Sequence, residues 1–112
     1  MAVTVPTTDD VQALYAFLYA RADEEWEAIN SDDTLDPDTA ARFYRVSNSN
    51  KRAITSTREC LVDLLNRGDD EQAARAWHCL TGAGEEWMHH PGFLPVWENP
   101  QMARVRQMIA GG

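Results

Sequence analysis

Apolar side chains recur along this chain with the period of a helix and nowhere with the period of a strand. In the first segment they fall at Val11, Leu14, Tyr15, Leu18, Ala22, Trp26 and Ile29. Those spacings put one stripe on a 3.6-residue helix. Thr8, Asp9 or Asp10 can cap its start, because their side-chain oxygens accept from the orphan N–H groups of a first turn. The polar run Asn30 to Asp36 predicts a turn, and Asp36-Pro37 reads as N-cap and first residue of a second helix. From there to Arg67 no proline or glycine occurs, and Phe43, Ser47, Asn50, Ile54, Thr57, Leu61 and Leu64 step alternately by four and three. This is a heptad seam on one continuous helix, about 37–67 and roughly 45 Å long. The alternative is a break at Ser47-Asn48-Ser49 with a fresh cap there. Gly68 suits the position just past the helix end.

Asp69-Asp70 opens a third helix with Ala73, Ala76, Trp77 and Leu80 on one face. Gly82 and Gly84 weaken or end it, Glu85 to His90 adds a turn or two, and Pro91-Gly92 stops it. Phe93, Leu94, Val96 and Trp97 form an apolar strap without helical phase. Asn99-Pro100 caps a last short helix to Ile109, apolar at Met102, Val105, Met108 and Ile109. The expected class is all-α: an antiparallel bundle of three or four helices with one long central helix. A single domain spans 1–112, with residues 1–8 a disordered or extended lead and 98–112 a short helix and tail.

Composition narrows the function more than the fold. With 112 residues, 44% of them hydrophobic, the chain can build one core and is too short for two ordinary domains. A net charge of -8 argues against a basic surface for nucleic acid. The charge is also local: residues 1–40 hold ten acids against Arg21 alone, while the remainder is nearly balanced. Nine of the ten basic residues are arginine, as a GC-rich genome would favour. No apolar run is long enough to span a membrane, and Met1 to Asp10 lacks the parts of a signal peptide. A cytoplasmic protein is expected, with Cys60 and Cys79 as reduced thiols packed like small hydrophobes.

Three clusters carry candidate chemistry. In Asp23-Glu24-Glu25-Trp26-Glu27, Glu25 falls in the arc of Leu14, Leu18 and Ile29. It should therefore face the core or its edge and need Arg21 or an arginine of the long helix as partner. Asp23, Glu24 and Glu27 resemble the first half of the magnesium motif of MazG-type nucleotide pyrophosphohydrolases, where carboxylates of two helices hold the ion. The second half would be Glu59 and Asp63, which stand four apart where that motif has three. His78, Cys79, His89 and His90 are zinc ligand types, but the usual close pair is missing; His90 before Pro91 equally suits a helix end. No cofactor is called for. The basic residues divide: Lys51 and Arg58 flank the seam and can pair with the acidic first helix, whereas Arg42, Arg45 and Arg52 lie opposite it, free for a partner.

Two features point to contact with other chains. Ser47, Asn50 and Thr57 put polar groups into a seam that should be buried. A homodimer through 43–64 accounts for them, as do hydrogen bonds within one chain or a shorter neighbouring helix that leaves them uncovered. Trp77, Trp87, Phe93 and Trp97 form a core lid or, if exposed, interface anchors.

Three short elements also resemble an uncharacterised family of small helical proteins from actinobacteria and their phages. They are Phe17 to Glu25, where Leu18 and Arg21 lead into the acidic run; Lys51-Arg52-Ala53-Ile54; and His90-Pro91-Gly92-Phe93 through Trp97. The resemblance covers about residues 11–97, departs in the interhelix loop, and leaves the tail after Glu98 without a counterpart. It implies a helical fold and a source but no reaction. The resulting expectation is a protein-interaction module, with Glu24, Glu27, Arg42, Arg45, Arg52 and Trp97 as contact residues. The alternatives are the magnesium enzyme and an acidic mimic of nucleic acid.

Overall fold

The computed structural model describes residues 5–111, apart from the side chain of Gln101. Helix α1 is Thr8–Asn30, α2 is Pro37–Arg67, α3 is Asp70–Ala83 and α4 is Pro100–Gly111, with single 3-10 turns at Glu85–Trp87 and Pro95–Trp97. No strand occurs among the described residues. The protein is an all-α helical bundle.

Caps define these boundaries. Thr7, one residue before the expected candidates, caps α1: its hydroxyl accepts from the Asp10 N–H at 3.1 Å and the Asp10 carboxylate accepts from the Thr7 N–H at 3.1 Å. The expected lead 1–8 lies partly outside the described residues. Of the rest, Pro6 is buried, Val5 packs on the core and Thr8 is already helical. Asp36 caps α2 by accepting from the Thr39 N–H at 2.8 Å. The helix runs unbroken through Ser47-Asn48-Ser49 to Gly68, whose φ of 73° ends it. There the Gly68 and Asp69 N–H groups return to the Leu65 and Leu64 carbonyls at 3.1 and 3.0 Å, a Schellman closure that favours glycine. Asn99 caps α4 by accepting from the Met102 N–H.

α1 and α2 run antiparallel in a register fixed by side chains. The Tyr15 hydroxyl meets that of Thr55 at 3.1 Å, the Arg58 guanidinium stacks 4.1 Å from the Tyr15 ring centroid, and Trp26 meets Tyr44 edge-on at 5.0 Å. α3 folds back along only the second half of α2. Its length, 14 residues against 31, is about 21 Å against about 46 Å. The core therefore gathers at one end. Val11, Leu14 and Leu18 from α1, Leu61 from α2, Ala73, Trp77 and Leu80 from α3, and Met88, Phe93, Trp97 and Met102 from the C-terminal segment are all buried. At the other end α1 and α2 form a two-helix arm. The molecule is 18 Å across its thinnest direction and its radius of gyration is 16.2 Å, where a compact chain of this length has about 13 Å.

Candidate functional site

The three motif elements meet on α1. Arg21 is the hinge of this clasp, with 13% of its side chain exposed. One guanidinium nitrogen lies 3.0 Å from His90 Nε2, another donates to Glu24 at 2.6 Å, and the group lies 4.8 Å from the Phe17 ring centroid. The Gly92 N–H points at His90 Nδ1 from 2.9 Å. Both neighbours of the ring are donors, yet a neutral imidazole has a single lone-pair nitrogen. Only one contact can be a hydrogen bond at a time, so His90 acts as a fitted spacer between strap and helix. A Cβ on Gly92 would stand 3.2 Å from His90 Nδ1 and 3.3 Å from the Phe17 ring, which is why the strap can lie this close. Phe17 packs at an angle against His90, Phe93 and Trp97, with centroids 5.3, 6.1 and 5.0 Å apart.

Trp97 is thus a core residue, not the surface contact expected of it. Its indole N–H and the Arg21 Nε–H are buried without a partner. On the opposite flank of α1, Lys51 bonds Asp23 and lies 4.9 Å from the Tyr19 ring centroid. The Asp23 hydrogen bond raises the Lys51 pKa above its ordinary 10.5. Arg58 stacks on Tyr15 of the first helix but pairs with none of its acids; its ion pair, at 3.9 Å, is with neighbouring Glu59.

The metal candidates do not converge. Among the described residues no group of three or more His, Cys, Asp or Glu side chains could hold an ion. Antiparallel register is the reason. Glu59 and Asp63 share a surface recess with Gln12, eleven or more residues along α1 from Asp23. At 1.5 Å per residue that is about 16 Å or more. Asp23 and Glu24 are engaged by Lys51 and Arg21, and Asp63 by Arg67 at 2.5 Å. His90 is held in the clasp, while His78, Cys79 and His89 are exposed, as is Cys60, so neither cysteine packs as expected.

Glu25 reverses its expectation as well. It is exposed and forms no ion pair among the described residues. The helical phase is as expected, but α3 ends before reaching it. Glu25 instead rims a groove of about 290 Å³ floored by Ala22, Ala53 and Ile54 and closed at one end by Ala83, Glu86 and Trp87. Past that point the same face of α2 carries Asn50, Val46 and Phe43, with Val46 58% and Phe43 43% exposed. The polar seam positions have their explanation here. Asn50 is exposed where no third helix covers it, Ser47 is half-buried beside it, and the Thr57 hydroxyl donates to the Ala53 carbonyl at 2.9 Å. Arg42, Arg45 and Arg52 are exposed and form no ion pair among the described residues; Glu27 is exposed likewise.

No family model matches the chain, and no curated protein or solved structure matches it. No helix among the described residues is long and apolar enough to cross a membrane.

Proposed function

We propose that this chain works by docking another protein chain on the two-helix arm, in the cytoplasm of an actinobacterium or of a cell infected by its phage. The observation that carries the reading is the lane left open where α3 stops. Phe43 and Val46 stand in it as large exposed apolar groups, beyond a groove lined by Ala22, Ala53 and Ala83 together with Leu18, Ile54 and Trp87. Apolar surface gathered in one recess and rimmed by polar groups is the usual mark of a contact site. The clasp serves the arm by fixing α1 at residues 17–25, where the arm leaves the core. The resemblance to small actinobacterial and phage proteins accords with this, since its elements meet in the clasp.

A photoreactive side chain at position 46 tests the reading in cell extract, with one at exposed Arg67 as control. Cross-links to protein from position 46 and none from position 67 are expected. Equal labelling from both positions, or none, rejects the arm as a docking site.

A further inference from the structure

We propose that the occupant of the open lane is α4 of a second copy of this chain; the inference rests on the arm being a docking site. Among the described residues, large exposed apolar groups stand on the strap, at Leu94 and Val96, and on two surfaces that complement each other. One is the lane along α1 and α2. The other is the outer end of α4, where Met108 is 75% and Ile109 66% exposed, following the buried Met102 and half-buried Val105 that fasten the helix to the core. One is a groove and the other a ridge.

The lane is long enough. It runs about 25 Å past the end of α3, and the outer turns of α4, from Arg104 to Gly111, are about 12 Å long. Small residues at Ala22 and Ala53 let a helix approach closely in the position α3 would occupy if it continued.

Their charges agree too. Glu25 and Glu86 both line the groove, and neither has an ion pair among the described residues. The segment 99–112 holds Arg104 and Arg106 and no acid. Arg106 is taken by Glu98 at 2.8 Å and the Met88 carbonyl at 2.7 Å, whereas Arg104 is exposed. It shares a face with Met108 four residues on, so a helix seating Met108 brings Arg104 towards the acidic rim.

A contact made by two turns of helix falls below the standard size of a stable interface, so the association is reversible.

The test uses the full chain, half of it labelled with nitrogen-15, carrying a photoreactive side chain at position 46. Mixed-mass cross-links to residues 104–109 are expected, together with an apparent mass that climbs from 12.6 kDa with concentration. Val46→Glu and Met108→Glu should each abolish that climb, since both positions are exposed and fold without burying the new charge. Mixed together, the two variants should recover a one-to-one complex through the single contact left intact. Arg52→Glu, on the far side of α2, should change nothing. A mass that stays monomeric up to sub-millimolar protein overturns the proposal, as does a cross-link from position 46 to any other segment of the second copy. If position 46 labels a different protein in extract while the pure chain stays monomeric, the occupant is wrong and the docking arm stands. If it labels nothing in either setting, both fall.

Discussion

The two ends of α2 have the same periodicity and opposite fates. From Ile54 to Leu65 the seam meets α3, so Leu61 is fully buried and Ile54, Leu64 and Leu65 pack on the core. From Phe43 to Asn50 the same spacing meets α1 alone on one side and nothing on the other. The pattern of a helix tells which residues share a face. It does not tell whether a neighbour is long enough to cover that face, because that depends on where a different segment stops. Here the stop is Gly84, fourteen residues after α3 begins.

The sharpest way to break this contrast is to remove apolar atoms from each end. Leu61→Ala and Leu14→Ala should each cost about 2–5 kcal/mol in urea unfolding, as cavities at fully buried leucines do. Phe43→Ala should cost less, about 1 kcal/mol, since 43% of the residue is in water already. Equal losses at the two ends would mean that the arm has a core of its own. Hydrogen exchange should agree. Amides of residues 40–50 should open at lower free energy than those of 57–65, because short-lived opening follows local burial.

Next in size is the clasp. Arg21→Ala removes a half-buried stem, the Glu24 pair and the His90 contact, and should cost about 1–3 kcal/mol. A double-mutant cycle of Arg21→Ala with His90→Ala should show coupling of about 0.5 kcal/mol or more, since the two side chains touch. Additivity within error would reduce the clasp to two independent contacts. Lys51→Met should cost less, under about 1 kcal/mol, because the Asp23 partner is half in water. Its sign with pH is fixed by the direction of the shift. Lys51 is raised above 10.5, so its contribution is whole at neutral pH and is lost as pH climbs through the raised value. The gap between wild type and Lys51→Met should stay flat around neutrality and close only in strong alkali.

Much of this was legible from residue order. Asp36-Pro37, the run without proline or glycine, and Gly68 marked both ends of α2 because caps and breakers act locally. That Lys51 pairs with the acidic first helix followed from helical phase and the antiparallel turn, whereas Arg58, read in the same way, pairs with Glu59. Glu25 was misjudged for a different reason: its phase was right and its neighbour absent. Trp97 was misjudged because the strap has no period from which to read an inward face. The magnesium set failed on register, since Glu59 and Asp63 lie opposite Gln12 rather than opposite Asp23. Arg21 and His90 stand 69 residues apart, and nothing in either segment alone announces that they meet.

The smallest expected effect lies at the tip of the arm and separates charge from geometry. The Asp32 carboxyl is held below its ordinary 3.8 first by the Thr34 hydroxyl and then by the Thr34 N–H; Asp36 is held below 3.8 first by the Thr39 N–H and then by its hydroxyl. A depressed carboxylate contributes stability that is complete above 3.8 and is lost as pH falls through the depressed value. Acid should therefore fray residues 32–40 while the core end, held by apolar burial, stays closed. Asp36→Asn keeps an oxygen for the Thr39 N–H, and asparagine caps about as well as aspartate. It gives up the attraction of a negative charge for the helix N-terminus and the second oxygen that accepts from the Thr39 hydroxyl. At neutral pH its amide exchange at residues 37–40 should thus stay close to wild type, and its further loss on acidification should be smaller. If Asp36→Asn frays fully at neutral pH, the carboxylate charge rather than the cap geometry starts α2. If acid opens the core end first, the division of this molecule into a packed end and an open arm is wrong.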